Sequence, residues 1–82
     1  MNYKICVIGL GYVGLPLAIA FAKKFEVVGL DVDENRIDEL RSGFDRTLEV
    51  DKFILSSVKG SMTFSTDIQD TKSCNVYIVT VP

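Results

Sequence analysis

Six consecutive residues, Gly9-Leu10-Gly11-Tyr12-Val13-Gly14, form a G-x-G-x-x-G string, and an acid, Asp31, stands twenty residues after the second glycine. Taken alone the string is a weak pattern. The chemistry it could do is to bring bare backbone against a pyrophosphate. Gly9 would allow the tight turn, Gly11 the close approach of the ligand with no Cβ in the way, and Gly14 the close packing of a helix on a strand. The N–H groups opening that helix, around Tyr12 and Val13, would then face the anion with the positive end of the helix dipole behind them. Asp31 would accept hydrogen bonds from the ribose hydroxyls of an adenosine. A 2′-phosphate there would meet a carboxylate, so NAD is favoured over NADP. Arg36, five residues further on, has two readings: it reaches the adenosine side of the site, or it is a helix-face arginine paired with Asp33 or Glu39. The bland alternatives are a sharp strand-to-helix turn without a ligand for the glycines, and a turn or capping role for Asp31.

Such a loop works only between a strand and a helix, and the flanking residues predict both. Ile5-Cys6-Val7-Ile8 is a short apolar run rich in β-branched residues, as in a strand buried on both faces. After the glycines, Leu15, Ala18, Ile19 and Ala22 recur at helical spacing, with Phe21 and Phe25 widening the stripe and Lys23-Lys24 near the end. Pro16 falls in the first turn, where its missing N–H costs nothing. Glu26 to Leu30 predicts a second strand closed by Asp31.

Asp33 is placed as the N-cap of a second helix over residues 34–42, with Val32 and Ile37 as a hydrophobic staple, Leu40 and Phe44 continuing the face, and Gly43 just past its end. Asp51, followed by Phe53, Ile54, Leu55 and Val58, suggests another short helix closed by Gly60. Ser61 to Ser65 alternates as an edge or half-covered strand, and Asp67 could cap a helical turn through Lys72. Val76 to Val81 is the strongest strand signal, apolar on both faces as an interior parallel strand would be. The alternation implies an α/β fold with a parallel sheet. Because the last strand reads as interior and is followed only by Pro82, the expectation is the N-terminal half of a Rossmann-type doubly wound domain, truncated, with an exposed Val76–Val81 edge through which the fragment would self-associate.

Composition narrows the function classes. The 82 residues are 48% hydrophobic and 24% charged, which suits a packed chain and not a disordered one. At this size a domain buries only about 60–65% of its unfolded surface, so the core should be thin. Nine basic against eleven acidic residues, with no basic run, argue against nucleic acid as a partner. The absence of histidine removes a histidine triad, an imidazole base and a mixed Cys/His zinc site. Cys6 and Cys74 are too few for a disulfide framework and lack an activating partner; Cys6 reads as core packing and neither as a nucleophile. Tyr77 and the phenylalanines fall at core periodicity. With no signal peptide and no apolar run near ~18 residues, no membrane association and a cytoplasmic location are expected.

The string Ile8-Gly9-Leu10-Gly11-Tyr12-Val13-Gly14-Leu15-Pro16-Leu17-Ala18 resembles the start of the UDP-glucose/GDP-mannose dehydrogenase family. The resemblance extends through Gly29-Leu30-Asp31-Val32-Asp33, Arg36-Ile37, Phe64 to Asp67, and the closing Ile78 to Pro82, which is similar to the opening of that family's V-P-T-P turn. Asp45-Arg46-Thr47-Leu48-Glu49-Val50 resembles the branch that oxidises UDP-N-acetylhexosamines. The resemblance implies a cytoplasmic enzyme that uses NAD to oxidise C6 of a UDP-sugar to a carboxylate in two hydride transfers, through a thioester on a cysteine, for capsule or other surface polysaccharide. Gly9 to Gly14 would hold the pyrophosphate, Asp31 and Arg36 the adenosine, and Val81-Pro82 would begin a loop passing the cofactor. It also implies that the catalytic cysteine, lysine, glutamate and asparagine lie beyond Pro82, that the fragment alone is inactive, and that the parent is a homodimer joined through a central helix. Two other readings share the glycine loop: a different dehydrogenase, such as a hydroxyacid or hydroxyacyl-CoA type, and a non-catalytic nucleotide-sensing or FAD-binding module.

Overall fold

The computed structural model describes residues 2–80. Four strands, β1 (Lys4–Ile8), β2 (Glu26–Leu30), β3 (Met62–Ser65) and β4 (Val76–Val79), form one sheet in the order β3-β2-β1-β4. Every pairing is parallel. The helices are α1 (Gly14–Ala22), α2 (Glu34–Arg41) and α3 (Lys52–Ser57), with a 3₁₀ turn at Ile68–Thr71. The chain winds outward from β1 through β2 to β3 and then crosses back to place β4 on the other side of β1. That reversal makes a crevice at the carboxyl ends of β1 and β4, where open α/β sheets bind their ligands.

Period-two alternation along β1 and β2 divides the interior into two cores. Ile5, Val7 and Val27 face one way and pack with Leu15, Ala18, Ile19 and Ala22 of α1, Ile37 and Leu40 of α2, and Leu55 of α3. Cys6, Val28 and Leu30 face the other way and meet Cys74. Fully burying a side chain such as Leu15 contributes about 1.5–3 kcal/mol, so the helical face carries most of the stabilisation. The three interior residues of β1 are 0–4% exposed, as the apolar run predicts.

Caps set the helix boundaries. The Asp33 carboxylate accepts the N–H groups of Asn35 and Arg36, and Gly43, at φ +89°, turns the chain out of α2. Asp51 caps α3 by accepting the Ile54 N–H, and Asp67 caps the 3₁₀ turn through the Gln69 N–H.

Several expectations need correction. The staple between Val32 and Ile37 does not form: Ile37 is buried but Val32 is 93% exposed. The Asp31 side chain accepts the Asp33 N–H and closes a turn that throws Val32 outward. Phe44 and Phe53 are exposed, because α2 ends before the first and the short α3 sets only Leu55 of its residues fully into the core. Tyr77 is also about half exposed, although its hydroxyl donates to the Thr71 carbonyl. The exposed edge at β4, by contrast, is present as expected: the strand stands at the margin of the described sheet, with alternate residues, Tyr77 and Val79, open on one face. Val81 and Pro82 lie outside the described residues. Among the described residues no helix is long and apolar enough to cross a membrane.

Candidate functional site: the glycine loop at the sheet's switch point

The loop from Gly9 to Val13 leaves β1 at the crevice and enters α1. Gly9 has φ +96°, a left-handed backbone that side-chain-bearing residues rarely adopt, and its N–H donates to the Leu30 carbonyl at 2.8 Å. At Gly14 a Cβ would collide with the Gly9 carbonyl and the Thr80 hydroxyl, so only glycine lets α1 approach β1 this closely. At Gly11 the situation is reversed. A Cβ there would meet no atom within 4 Å, so the peptide faces open space on the crevice side.

The start of α1 is left open to an anion. Its N-cap, Val13, offers no side-chain hydrogen bond, and its first turn contains no acid. Of the N–H groups a capping carboxylate would serve, Leu15 donates to the Gly11 carbonyl at 3.2 Å and Pro16 has none, so an anion would be met by the loop N–H groups leading into α1, with the helix dipole adding positive potential. Tyr12 and Val13 are 70% and 68% exposed, so their side chains stand on the loop's outer surface.

Leu10 is placed differently from its neighbours. Its side chain is fully buried beneath the loop and lies against Gly29, where an added Cβ would approach both Leu10 methyls at 3.1 Å. Its N–H donates to Asp31 Oδ2 at 2.9 Å and its carbonyl accepts from Arg36 Nε at 2.9 Å. Both of its main-chain groups are therefore bonded within the protein, and Leu10 serves the site by anchoring the loop.

Asp31 ends β2 and braces the loop as well as facing the crevice. Each of its oxygens accepts one backbone N–H, from Leu10 and from Asp33. A carboxylate has about four acceptor sites, so capacity remains for ribose hydroxyls. Arg36 is only 4% exposed, far from a solvated helix-face arginine. It does pair with Glu39, at 3.0 Å, but it also pairs with Asp45 at 2.8 Å, whereas Asp33 is taken by Arg46. Among the described residues its buried Nη2 has no partner.

Two residues of this site escaped the sequence reading. Thr80, just past β4, donates through its hydroxyl to the Gly9 carbonyl at 2.6 Å and through its N–H to the Ile8 carbonyl at 2.8 Å. Asp45 sits under the Arg36 guanidinium; burial would raise its pKa, but hydrogen bonds from the Thr47 hydroxyl, Arg36 and backbone N–H groups hold it at about 2. A threonine at a strand end carries no special signal, and Asp45 could have been singled out only by the Asp45–Val50 string. The two cysteines are buried and free. Burial and the neighbouring Cys74 push the Cys6 thiol up to about 11, and burial also raises Cys74, so neither is an activated nucleophile.

An open glycine peptide, a helix start without a side-chain cap, a carboxylate with spare acceptor capacity and, among the described residues, an unpaired buried guanidinium nitrogen together fit a dinucleotide. Comparison with known proteins decides which kind. Residues 3–82 match the UDP-glucose/GDP-mannose dehydrogenase family, NAD binding domain. The chain belongs to that family. Its cofactor is NAD. Among relatives of the family, UDP-N-acetyl-D-glucosamine 6-dehydrogenase of Pseudomonas aeruginosa is 54% identical over 99% of this chain and 19% of its own length. The enzyme of the same name from Salmonella typhi is 49% identical over 96% of this chain and 18% of its own length. The solved UDP-D-ManNAc dehydrogenase of Pyrococcus horikoshii superposes with a TM-score of 0.88 at 37% identity, covering 95% of this chain and 20% of that one. This chain thus spans about a fifth of the length of the family members it matches.

Proposed function

We propose that this chain is the N-terminal part of the NAD-binding domain of a UDP-sugar 6-dehydrogenase, the remainder of the domain, a central helix and a UDP-sugar domain following in the same polypeptide. The substrate is a UDP-N-acetylhexosamine. Its C6 alcohol is oxidised to the carboxylate with one water consumed and two NAD reduced to NADH, and the uronate feeds a surface polysaccharide. The observation that carries this reading is the 54% identity with a UDP-N-acetyl-D-glucosamine 6-dehydrogenase across essentially all of this chain, including Asp45 to Val50.

In this scheme the peptide at Gly11 and the N–H groups around Tyr12 and Val13, leading into α1, bind the pyrophosphate. The Asp31 carboxylate and the free Arg36 nitrogen take the adenosine ribose, and Val81-Pro82 lead into a loop along the cofactor. The bound NAD supplies the hydride acceptor. The chain holds its adenosine half; the catalytic cysteine, lysine, glutamate and asparagine belong to the remainder, so the 82 residues alone bind NAD weakly and turn nothing over. The working enzyme is a cytoplasmic homodimer, and the isolated chain self-associates through its β4 edge.

The test is NADH formation by the full-length protein against UDP-glucose, UDP-N-acetylglucosamine, UDP-N-acetylgalactosamine and GDP-mannose. Two NADH per UDP-N-acetylhexosamine is the expected result. Turnover of UDP-glucose alone would move the substrate to the other branch. NAD binding without turnover of any of the four would leave a different dehydrogenase or a nucleotide-sensing module.

A further inference from the structure

The loop after α2 is organised around one carboxylate. The Asp45 side chain is fully removed from solvent and accepts five hydrogen bonds. They come from the Thr47 N–H at 3.0 Å and hydroxyl at 2.7 Å, the Glu49 and Val50 N–H groups at 3.0 Å each, and Arg36 Nη1 at 2.8 Å. Four of these fasten Asp45 to its own loop, so it is a fixed point against which Arg36 rests. Glu39, the other partner of Nη1, is less buried and is shared with Arg46.

The guanidinium is thereby held on two sides. Nη1 is bound by Asp45 and Glu39, and Nε donates to the Leu10 carbonyl inside the glycine loop. Nη2 is left, buried and without an acceptor among the described residues. A buried donor in that state is rare in native proteins and costly, which points to an acceptor supplied from outside the chain. In the planar fork Nε–H and one Nη2–H lie along the same edge. The orphan donor is therefore carried beside the bond to Leu10, on the glycine-loop side.

We propose that Asp45 is a positioning residue for the dinucleotide: it sets the plane of the Arg36 guanidinium so that Nη2 is presented to the adenosine half while Nε holds the loop peptide in place. This rests on the dinucleotide-binding reading above. It assigns a function to the Asp45–Val50 segment, in which the Thr47 hydroxyl and the N–H groups of Thr47, Glu49 and Val50 immobilise one carboxylate.

The experiment uses the full-length protein with ADP-ribose and UDP as separate probes in calorimetric titrations. Asp45→Asn keeps the size of the side chain but removes the charge and turns one acceptor into a donor. It should weaken ADP-ribose about tenfold, as expected for loss of one charge-assisted hydrogen bond, with UDP affinity retained on the same sample. Arg36→Lys should give a similar selective loss, and the double variant should be no worse than Arg36→Lys alone, because the two residues act as one unit.

Wild-type ADP-ribose affinity in Asp45→Asn overturns the proposal. So does equal weakening of both ligands or an additive double variant, either of which would make Asp45 a general support of the fold. Should Asp45→Asn fail to fold, Asp45→Glu, which displaces the charge by one methylene, carries the same comparison. If the selective loss appears but no UDP-sugar is oxidised, the 6-dehydrogenase reading falls and the role of Asp45 stands. If wild type does not bind ADP-ribose, both fall.

Discussion

The Thr80 hydroxyl donates to the carbonyl of Gly9 at 2.6 Å, joining residues 71 positions apart in the chain at the point where β1 gives way to the glycine loop. The same oxygen occupies the space that a Cβ on Gly14 would need. The end of β4, the first glycine and the start of α1 are therefore packed as one unit, and the loop is held from behind while its front stays open.

That arrangement separates two glycines that look equivalent in the motif. Gly14→Ala should destabilise the fold by about 1–3 kcal/mol through overpacking, read as a lower denaturant midpoint. Gly11→Ala places its methyl in open space, so stability should stay within about 0.5 kcal/mol. Titration with NAD should nonetheless show affinity lost in both variants of the full-length protein, by distortion in one and by obstruction in the other.

Thr80→Val retains the shape of the side chain and removes its hydroxyl. The Gly9 carbonyl then loses a donor in a partly buried setting, at a cost of about 1–2 kcal/mol in chemical unfolding. Thr80→Ser should recover most of it. Equal stability of the valine and threonine proteins would show that the bond contributes nothing.

Acid should weaken the fold through Asp45. Its carboxyl is held at about 2 against an ordinary 3.8. A depressed folded-state pKa gives stabilisation that is complete above about pH 4 and is lost as pH falls through 2, worth about 2 kcal/mol. Unfolding free energy measured between pH 5 and 2 should fall more steeply for wild type than for Asp45→Asn, which has no proton to take up.

Leu48 is 80% exposed at φ +57°, in the left-handed region, directly after Thr47 in the Asp45 loop. An L-residue there costs about 1–2 kcal/mol, and asparagine tolerates the conformation better. Leu48→Asn should raise the unfolding free energy by up to about 1 kcal/mol, read as a higher denaturant midpoint with an unchanged slope of the transition.

The β4 edge, with Tyr77 and Val79 open on one face, should bring copies of the 82-residue chain together. Sedimentation at high concentration should show species larger than a monomer, and Val79→Lys should return them to monomers. A well-folded wild-type chain that stays monomeric would remove this prediction.

Much of the architecture was legible because it depends on local chemistry. Apolar runs at Ile5–Ile8 and Glu26–Leu30, helical spacing from Leu15 to Ala22, and capping acids at Asp33, Asp51 and Asp67 each specify an element with little help from the rest of the chain. The glycine string lies, as expected, between β1 and α1, and Asp31 directly follows β2. The exposed edge at β4 was legible as well, since an apolar strand followed only by Pro82 leaves no residues in the chain to cover it. Val32 and Phe53 were misassigned to the core because apolar character does not say which way a turn will throw a side chain.

What the sequence by itself determined is the order of elements, the parallel sheet and the position of the glycine loop between β1 and α1, all encoded within short windows. Tertiary structure alone decided that Leu10 anchors rather than lines the site, that Arg36 is buried between Leu10 and Asp45 with one nitrogen left over, and that Thr80 closes the loop from behind. These are contacts between residues 9 to 71 positions apart. Hydrogen bonds and ion pairs act over about 3 Å, so such partners are set by how the sheet and helices bring distant segments together and leave no periodic trace in the chain.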